Sequence, residues 1–312
     1  VITSACRTAV GSFGKSLKNV KSHELGAKVI SESLIRSRIN REEIDEIILG
    51  QVLTGGVGQN PARQAAINAG LPKDKPAYIV NQVCGSGLRS VASAYQSVKS
   101  GDSKIVLAGG QENMSLAPHA IHLRDGKKLG DSEIIDTMVR DGLWDAFHGY
   151  HMGITAENVA RKFQITREEQ DKFAFRSQEK ALKAQKEKKF NDEIVNFKIK
   201  SKKAEINFNK DEHPREGVNL ETLSRLKPVF QKEGTVTAGN ASGINDGAAA
   251  VALMSADEAD KRGLEKLVAI KSWASCGVDP SIMGTGPIPA SKKALELAGW
   301  SVKDLDLLEI NE

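Results

Sequence analysis

Cys84 is the residue of this sequence best placed to do chemistry. An extended apolar stretch, 77–83, precedes it, and after it comes a helical pattern of apolar residues: Leu88, Val91, Ala92, Tyr95 and Val98. The pattern predicts a strand-to-helix turn, where the helix dipole and free backbone N–H groups favour the thiolate that attacks carbonyl carbons. Gly85 and Gly87 leave room for an acyl group. The alternative is a buried core cysteine, the usual role of a lone cysteine.

Other residues suggest chemistry less strongly. His148 and His151 have a spacing that could serve zinc, but no third ligand matches it, although Glu157 is near in sequence, so we expect no metal site. The glycines of 55–58 lack the Lys-Ser/Thr of a phosphate loop and are better explained as turn residues. The other histidines are predicted to lie on the surface: His23, His119, His122 and His213.

Composition indicates a globular α/β protein. The chain has 312 residues, 40% of them hydrophobic, which suits one large or two medium domains. Its three cysteines form no close pair, which favours a reducing, cytoplasmic compartment, and a targeting segment before Val1 stays open. The net charge is +4. The basic stretch from Lys180 to Lys203 is interpreted as a solvated face, so neither nucleic acid nor a membrane is expected as a partner.

An internal repeat relates residues 40–50 to residues 301–311. Each copy begins with a candidate N-cap, Asn40 or Ser301, and has an acid three residues later. Each then runs into a short apolar segment predicted as a strand, and each follows a helical pattern, 22–37 or 290–298. The second copy ends before any counterpart of Cys84, so we expect a truncated chain whose second half is incomplete.

The residues between the two copies include a long polar insertion, 114–243. It is predicted to contain one helix over 155–163 and a second from Thr166 to about Lys188. Glu169 completes a capping box with Thr166. A loop-rich polar section is expected to follow as far as Gly217.

Several ordered motifs together resemble the thiolases, the enzymes that make or cleave 3-ketoacyl-CoA. The motifs span the chain: 4–11, 58–64, 80–91, 108–115, 150–157, 237–242 and 310–312. The resemblance implies the thiolase fold, an α/β architecture of two similar halves in an αβαβα arrangement with an inserted loop domain. It implies an N-terminal half formed by 1–113 and 244–266. The insert, 114–243, covers the active site, and 267–312 starts the second half.

The resemblance also implies the catalytic residues. Cys84 matches the cysteine that carries the acyl group, and Asn311 matches the asparagine that orients a water at a thioester oxygen. Without that match, Asn311 is much better explained as an ordinary polar residue at a strand end. The family's Gly-His-Pro and late Cys-x-Gly motifs have no match, so the chain alone is expected to be inactive.

The remaining implied site residues bind the substrate. His151 and Met152 match a segment that lines the acyl and pantetheine pocket, Ser242 matches a residue on the pantetheine arm, and Arg215 matches one near the nucleotide. Further expected contacts with coenzyme A are Leu143, Thr222, Phe230, Ala238, Gly243 and Met283. Coenzyme A thioester is a substrate here, so no cofactor is expected.

The leading functional hypothesis is an acyltransferase that condenses two acetyl-CoA through an acyl-cysteine. The alternatives are a degradative 3-ketoacyl-CoA thiolase and, from another class, a noncatalytic protein that binds acyl-CoA. The arm 119–137 resembles the tetramerisation loop of biosynthetic thiolases and predicts a homotetramer. Without partners it would be a mobile hairpin exposing Ile121, Leu123 and Leu129.

Overall fold

The computed structural model describes residues 1–200 and 205–311. Lys202 and Lys203 of the basic stretch and Glu312 of the last motif lie outside these ranges. In chain order the strands are β1 Ile2–Thr8, β2 Gly11–Ser12, β3 Glu46–Gly50, β4 Ala77–Val80, β5 Ile105–Asn113, β6 His119–Ala120, β7 Ile135–Asp136, β8 Trp144–Asp145, β9 Tyr150–His151, β10 Ile194–Val195, β11 Phe197–Lys200, β12 Glu205–Phe208 and β13 Asn245–Met254. The helices are α1 Ser22–Ser37, α2 Pro61–Asn68, α3 Ser86–Ser100, α4 Met152–Phe163, α5 Arg167–Lys186, α6 Leu220–Ser224, α7 Ala256–Lys261 and α8 Pro287–Ala298. None of the helices described is long and apolar enough to cross a bilayer.

The chain forms two compact units. The first contains Val1–Gly142, Phe190–His213 and Ile244–Ala269, and the second contains Leu143–Lys189, Pro214–Gly243 and the residues from Ile270 on. Residues of the predicted insert, 114–243, therefore contribute to both units. The predicted division into two family halves and an insert stays a prediction.

A mixed sheet organises the first unit. Its strands lie in the order β10-β1-β13-β5-β3-β4, with β2 beside β13. β3 is parallel to both β4 and β5, whereas β13 is antiparallel to β5 and β1. Parallel neighbours require crossover connections, and here α2 and α3 supply them. The carboxyl ends of β3, β4 and β5 consequently meet at one edge of the sheet.

Strand alternation gives the sheet two covered faces. Ile47, Leu49 and Leu107 are fully buried in one cluster with side chains of α1 and α2. Positions one residue out of phase face the other way. There α3 lies against Gly50 and Gly110, close enough that a Cβ on Gly50 would overlap the backbone of Ser86. Gly50 at the end of β3 and Gly110 within β5 thus let the first turn of α3 approach the sheet.

A polar cluster joins the segment 190–213 to β1. The Arg7 guanidinium donates to Glu193 at 2.6 Å and to both carboxylate oxygens of Asp211, at 2.7 and 3.0 Å. It also lies over the Phe190 ring, 5.2 Å from the centroid. The bidentate geometry suits a guanidinium and would not suit lysine.

The second unit is mainly helical. The predicted capping box of α5 is confirmed: the Thr166 hydroxyl accepts from the Glu169 N–H, and the Glu169 carboxylate accepts from the Thr166 N–H. Both copies of the internal repeat also have capping boxes, at Asn40 and at Ser301. These local predictions succeed because a cap depends on residues only three apart.

Two predictions are wrong, and a third is refined. Residues 305–311 form no strand, since no described segment pairs with them, and Leu307 is 85% exposed. The section expected to be rich in loops also contains the antiparallel strands β11 and β12. His23 is not on the surface: it is 9% exposed, and its Nδ1 lies 2.9 Å from the Asn68 amide nitrogen. Burial lowers the pKa of His23, because desolvation disfavours the charged imidazole.

Candidate active site

Cys84 lies in the turn between β4 and α3, as the sequence predicts, although the strand ends at Val80 and not at Val83. Its thiol is exposed, Cys276 is half-buried, and Cys6 is buried and donates to the Val29 carbonyl at 3.3 Å. Burial raises the pKa of Cys6 to about 12. The thiol of Cys6 is therefore inert at neutral pH, whereas Cys84 is open to reagents.

The residue before Cys84 has an uncommon backbone conformation. Val83 has a φ of +48°, the left-handed region that a β-branched residue rarely occupies. The Ser86 hydroxyl donates to the Val83 carbonyl at 2.6 Å and accepts from the Gln82 N–H at 2.9 Å. The Asn81 side chain accepts from the Val83 N–H at 2.9 Å. These bonds hold the turn that presents the thiol, since such strain persists only where its surroundings impose it.

Hydrogen bonds to β5 also fix the position of α3. The Ser90 hydroxyl is fully buried and lies within hydrogen-bond distance of the Gly87 carbonyl, at 2.7 Å, and of the Gly109 carbonyl and N–H, at 2.6 and 3.0 Å. The first two turns of α3 are thereby joined to the middle of β5. Cys84 consequently lies on a rigid base, as a nucleophile requires.

A half-buried carboxylate lies beside the same sheet edge. Glu112 in β5 accepts from the Val52 N–H at 2.8 Å and from the Leu53 N–H at 3.3 Å. Burial raises its pKa to about 7, and the negative charge of Asp246 adds to the rise. The two backbone donors oppose the rise but do not cancel it. Glu112 therefore holds the loop after β3 and is poised to change charge near neutrality.

In the second unit two contacts fix the ring of His151. Its ring stacks on Phe230 with centroids 4.7 Å apart. Its Nδ1 accepts from the Gly153 N–H at 3.0 Å, at the start of α4, which places the proton of the neutral ring on Nε2. Burial lowers the pKa of His151, so the ring stays neutral at pH 7 with an N–H to donate. A Cβ on Gly153 would overlap the Phe230 ring.

The other residues predicted to bind substrate also lie in the second unit. Met152 is the first residue of α4. Ala238, Ser242 and Gly243 all lie in the loop 235–243. The remaining residues lie at separate places: Leu143 is the half-buried last residue of a short π-helical segment, Arg215 is exposed and its backbone N–H donates to the Gln178 side chain, the Thr222 hydroxyl accepts from the backbone N–H of Asn219, the N-cap of α6, and Met283 is in a 3-10 turn. Asn311, predicted as a catalytic residue, is exposed.

The metal hypothesis for His148 has a structural alternative. The His148 Nδ1 lies 2.8 Å from the buried Asp145 carboxylate, and its ring stacks on Tyr150. Among residues 1–200 and 205–311, no group of three His, Cys, Asp or Glu side chains is placed to hold a metal ion.

Comparison with known proteins decides the family. The family model described as thiolase, N-terminal domain, matches residues 1–257, and the one described as thiolase, C-terminal domain, matches residues 264–312. The chain belongs to the thiolase family. An acetyl-CoA acetyltransferase of Rhizobium meliloti (strain 1021) is 61% identical over 312 residues, which are 100% of this thiolase and 79% of the relative.

Further relatives agree. The cytosolic acetyl-CoA acetyltransferase of Mus musculus is 54% identical over 314 residues, again covering 100% of this chain and 79% of its own. The crystal structure of the Bacillus anthracis acetyl-CoA acetyltransferase matches with a TM-score of 0.98 at 46% identity, covering 100% of this chain and 79% of that one. This structural likeness confirms the thiolase fold with its mixed α/β content.

The family match leaves one group of expectations unsupported. Because the C-terminal domain model matches 264–312, the expected truncation of this thiolase and the incompleteness of its second half are not borne out. The expected lack of catalytic residues and the expected inactivity are not confirmed either.

Sequence reasoning missed the buried polar groups that support the site. Glu112 follows the apolar residues of β5, so a polar triplet at a strand end was a usable signal. The hydrogen bond between Asp171 and Asn240 in the second unit joins residues 69 positions apart in the sequence, so no local pattern predicts it.

Proposed function

We propose that this thiolase is an acetyl-CoA acetyltransferase, which condenses two acetyl-CoA to acetoacetyl-CoA and free coenzyme A. The observation that carries the proposal is Cys84: an exposed thiol on a strained turn, with the helix α3 beginning two residues later. A relative with this activity in its name is 61% identical over the whole chain.

In the first half-reaction the Cys84 thiolate attacks the carbonyl carbon of acetyl-CoA. The tetrahedral adduct collapses as its bond to the coenzyme A sulfur breaks, and coenzyme A leaves with the proton that the Cys84 thiol had lost. Cys84 then carries the acetyl group as a thioester. The start of α3 supports the step, since the positive end of a helix stabilises a thiolate.

In the second half-reaction another acetyl-CoA loses a proton from its methyl carbon to a base. The carbanion attacks the carbonyl carbon of acetyl-Cys84, the carbon–sulfur bond breaks, and the Cys84 thiolate is regenerated with release of acetoacetyl-CoA. Negative charge develops on thioester oxygens in both halves and requires fixed donors. The neutral His151, with its proton on Nε2, has the chemistry of such a donor, and Asn311 is a second candidate through a bound water.

The binding of coenzyme A is proposed for the residues of the second unit. The loop 235–243, with Ala238, Ser242 and Gly243, would receive the pantetheine arm, and the exposed Arg215 would meet the nucleotide end. His151 and Met152 would line the acyl pocket. Supporting positions are proposed for Leu143, Thr222, Phe230 and Met283.

A homotetramer and a cytosolic location complete the proposal. The strands β6 and β7 of the arm 119–137 form a small antiparallel pair, and Leu129 on this arm is 92% exposed. A partner subunit covering the arm would remove that apolar surface from water. The relative in Mus musculus is named as cytosolic.

The decisive experiment is the intact mass of the protein before and after acetyl-CoA. We expect the gain of one acetyl group, mapped to Cys84 by digestion. The gain should be lost in Cys84→Ala and kept in Cys276→Ala, a matched control at a half-buried thiol. An acetyl group on another residue, or its persistence in Cys84→Ala, would refute the proposed nucleophile. Product analysis with acetyl-CoA and longer acyl-CoA donors separates the biosynthetic from the degradative assignment.

A further inference from the structure

A buried carboxylate on α5 lies outside the set of residues assigned to the reaction. The structure describes every residue of α5, and Asp171 is the one buried residue among them, with 4% of its surface exposed. A buried charge needs partners that repay its desolvation. The partners of Asp171 indicate what this residue does.

One partner is a cation on the same helix. The Arg167 Nε donates to the Asp171 Oδ2 at 2.8 Å. The Arg167 Nη2 reaches beyond α5 and donates to the carbonyls of Leu223 and Leu226, at 2.8 and 3.0 Å. Arg167 thus joins Asp171 to the end of α6.

The other partner is the side chain of Asn240. Its Nδ2 donates to the Asp171 Oδ1 at 2.9 Å and to the Thr235 carbonyl at 3.1 Å, and its Oδ1 accepts from the Thr237 N–H at 2.7 Å. Thr237 is fully buried. One amide therefore ties both ends of a tight turn to the carboxylate of α5.

The start of the same loop is held by a second buried carboxylate. Glu157 of α4, 2% exposed, accepts from the Thr235 N–H, the Thr235 hydroxyl and the Val236 N–H, each at 2.8 Å for the nearer oxygen. The loop 235–243 is therefore anchored at two points to two helices, while Ala238 and Ser242 within it stay exposed. Rigid anchoring beneath exposed, small side chains is the arrangement expected of a loop that binds a ligand through its backbone.

We propose that Asp171 is a positioning residue for coenzyme A binding: through Asn240 it holds the loop 235–243 in the shape that receives the pantetheine arm of the thioester. This inference rests on the proposed function. Asp171 touches no substrate in this scheme and acts through the loop. Its loss should therefore affect binding of the substrate and leave the nucleophile itself unchanged.

The first test removes the hydrogen bond between Asn240 and Asp171 and keeps the Arg167–Asp171 ion pair. Asn240→Ala should weaken the affinity for free coenzyme A, measured calorimetrically, and raise the KM for acetyl-CoA, each by about tenfold, the scale of a single buried hydrogen-bonded contact. Alkylation of Cys84 by iodoacetamide should keep its wild-type rate. Asn196→Ala is the matched control, because it removes an amide contact to Asn207 in the β11–β12 region of the first unit. It should change neither affinity nor KM.

The second test exchanges the two groups. Asn240→Asp places a second carboxylate beside that of Asp171, and their repulsion should lower the affinity for coenzyme A. Adding Asp171→Asn restores a donor facing an acceptor at this contact, although the Thr235 carbonyl still faces an oxygen, so the double variant should recover part of the lost affinity for coenzyme A. A double variant no better than Asn240→Asp, or Asn240→Ala with wild-type affinity, would overturn the proposal.

Amide hydrogen exchange makes the test independent of the proposed function. The N–H groups of Thr237 and Ala241 are bonded within the turn, to the Asn240 Oδ1 and the Thr237 carbonyl. Both should exchange faster in Asn240→Ala and stay protected in Asn196→Ala. If the wild type does not bind coenzyme A, the proposed function fails. Faster exchange in Asn240→Ala would still show that the Asn240 side chain holds the loop 235–243, and unchanged exchange would refute that role.

Discussion

Glu112→Gln is the substitution whose effect can be worked out most fully from the structure. The Glu112 side chain is half-buried near the end of β5, with the Val52 and Leu53 N–H groups as donors, and desolvation raises the pKa of its carboxyl from the usual 4.5 to about 7. A carboxyl whose folded pKa is raised stabilises the fold fully below its unfolded pKa and loses that contribution as the pH rises through the folded value. Stability should therefore fall between pH 4.5 and about pH 7.

The size of the loss follows from the two pKa values. Each pH unit between them lowers the free energy of unfolding by about 1.4 kcal/mol. From pH 5 to pH 8 the wild type should therefore lose about 2 kcal/mol through this one group, most of it below pH 7. Glutamine keeps an oxygen for the backbone donors and does not titrate, so Glu112→Gln removes the loss. Any constant cost of burying the amide cancels when the two pH values are compared.

The assay is urea unfolding of both proteins at pH 5, 6, 7 and 8, followed by circular dichroism. Relative to the wild type, Glu112→Gln should gain about 2 kcal/mol between pH 5 and pH 8. Glu42→Gln, at an exposed position on a 3-10 turn, is the control for loss of one negative charge and should show no such gain. A difference between Glu112→Gln and wild type that stays constant with pH would refute the assignment of a buried, desolvated carboxyl.

Three further predictions concern the turn, the substrate and the fold. Ser86→Ala should slow acetylation of Cys84 about tenfold in the wild type. Val83→Gly should relieve the left-handed backbone at φ +48°, so in that background Ser86→Ala should slow acetylation much less. Equal slowing in both backgrounds, as expected for the control Ser90→Ala, would contradict the role of Ser86 in holding Val83. Arg215→Ala should raise the KM for acetyl-CoA but not for an acetyl pantetheine thioester, and equal losses for both would exclude its place at the nucleotide end. Arg7→Ala leaves Asp211 and Glu193 without their guanidinium and should lower the free energy of unfolding by about 2 kcal/mol in urea titrations, with Arg7→Lys intermediate; a change below about 0.5 kcal/mol would show that the cluster contributes little.

Much of the local structure could be predicted because it depends on neighbours along the chain. The limits of α1, the capping box at Thr166 and the turn at Cys84 each follow from residues a few positions apart. The segment 305–311 failed for the opposite reason. Its apolar residues satisfy the pattern of a strand, but a strand exists only where a neighbour pairs with its backbone.

By itself, the sequence determined the nucleophile candidate, the family and the approximate positions of several helices, since short motifs and periodic patterns encode them. Only the tertiary structure decided what supports the chemistry. The left-handed backbone at Val83 is imposed by Asn81 and Ser86 against the preference of a β-branched residue. The pKa of Glu112 reflects its burial, and the anchoring of the loop 235–243 joins Asp171 to Asn240. Each of these depends on desolvation or on contacts between distant residues, and those arise only when the chain is packed.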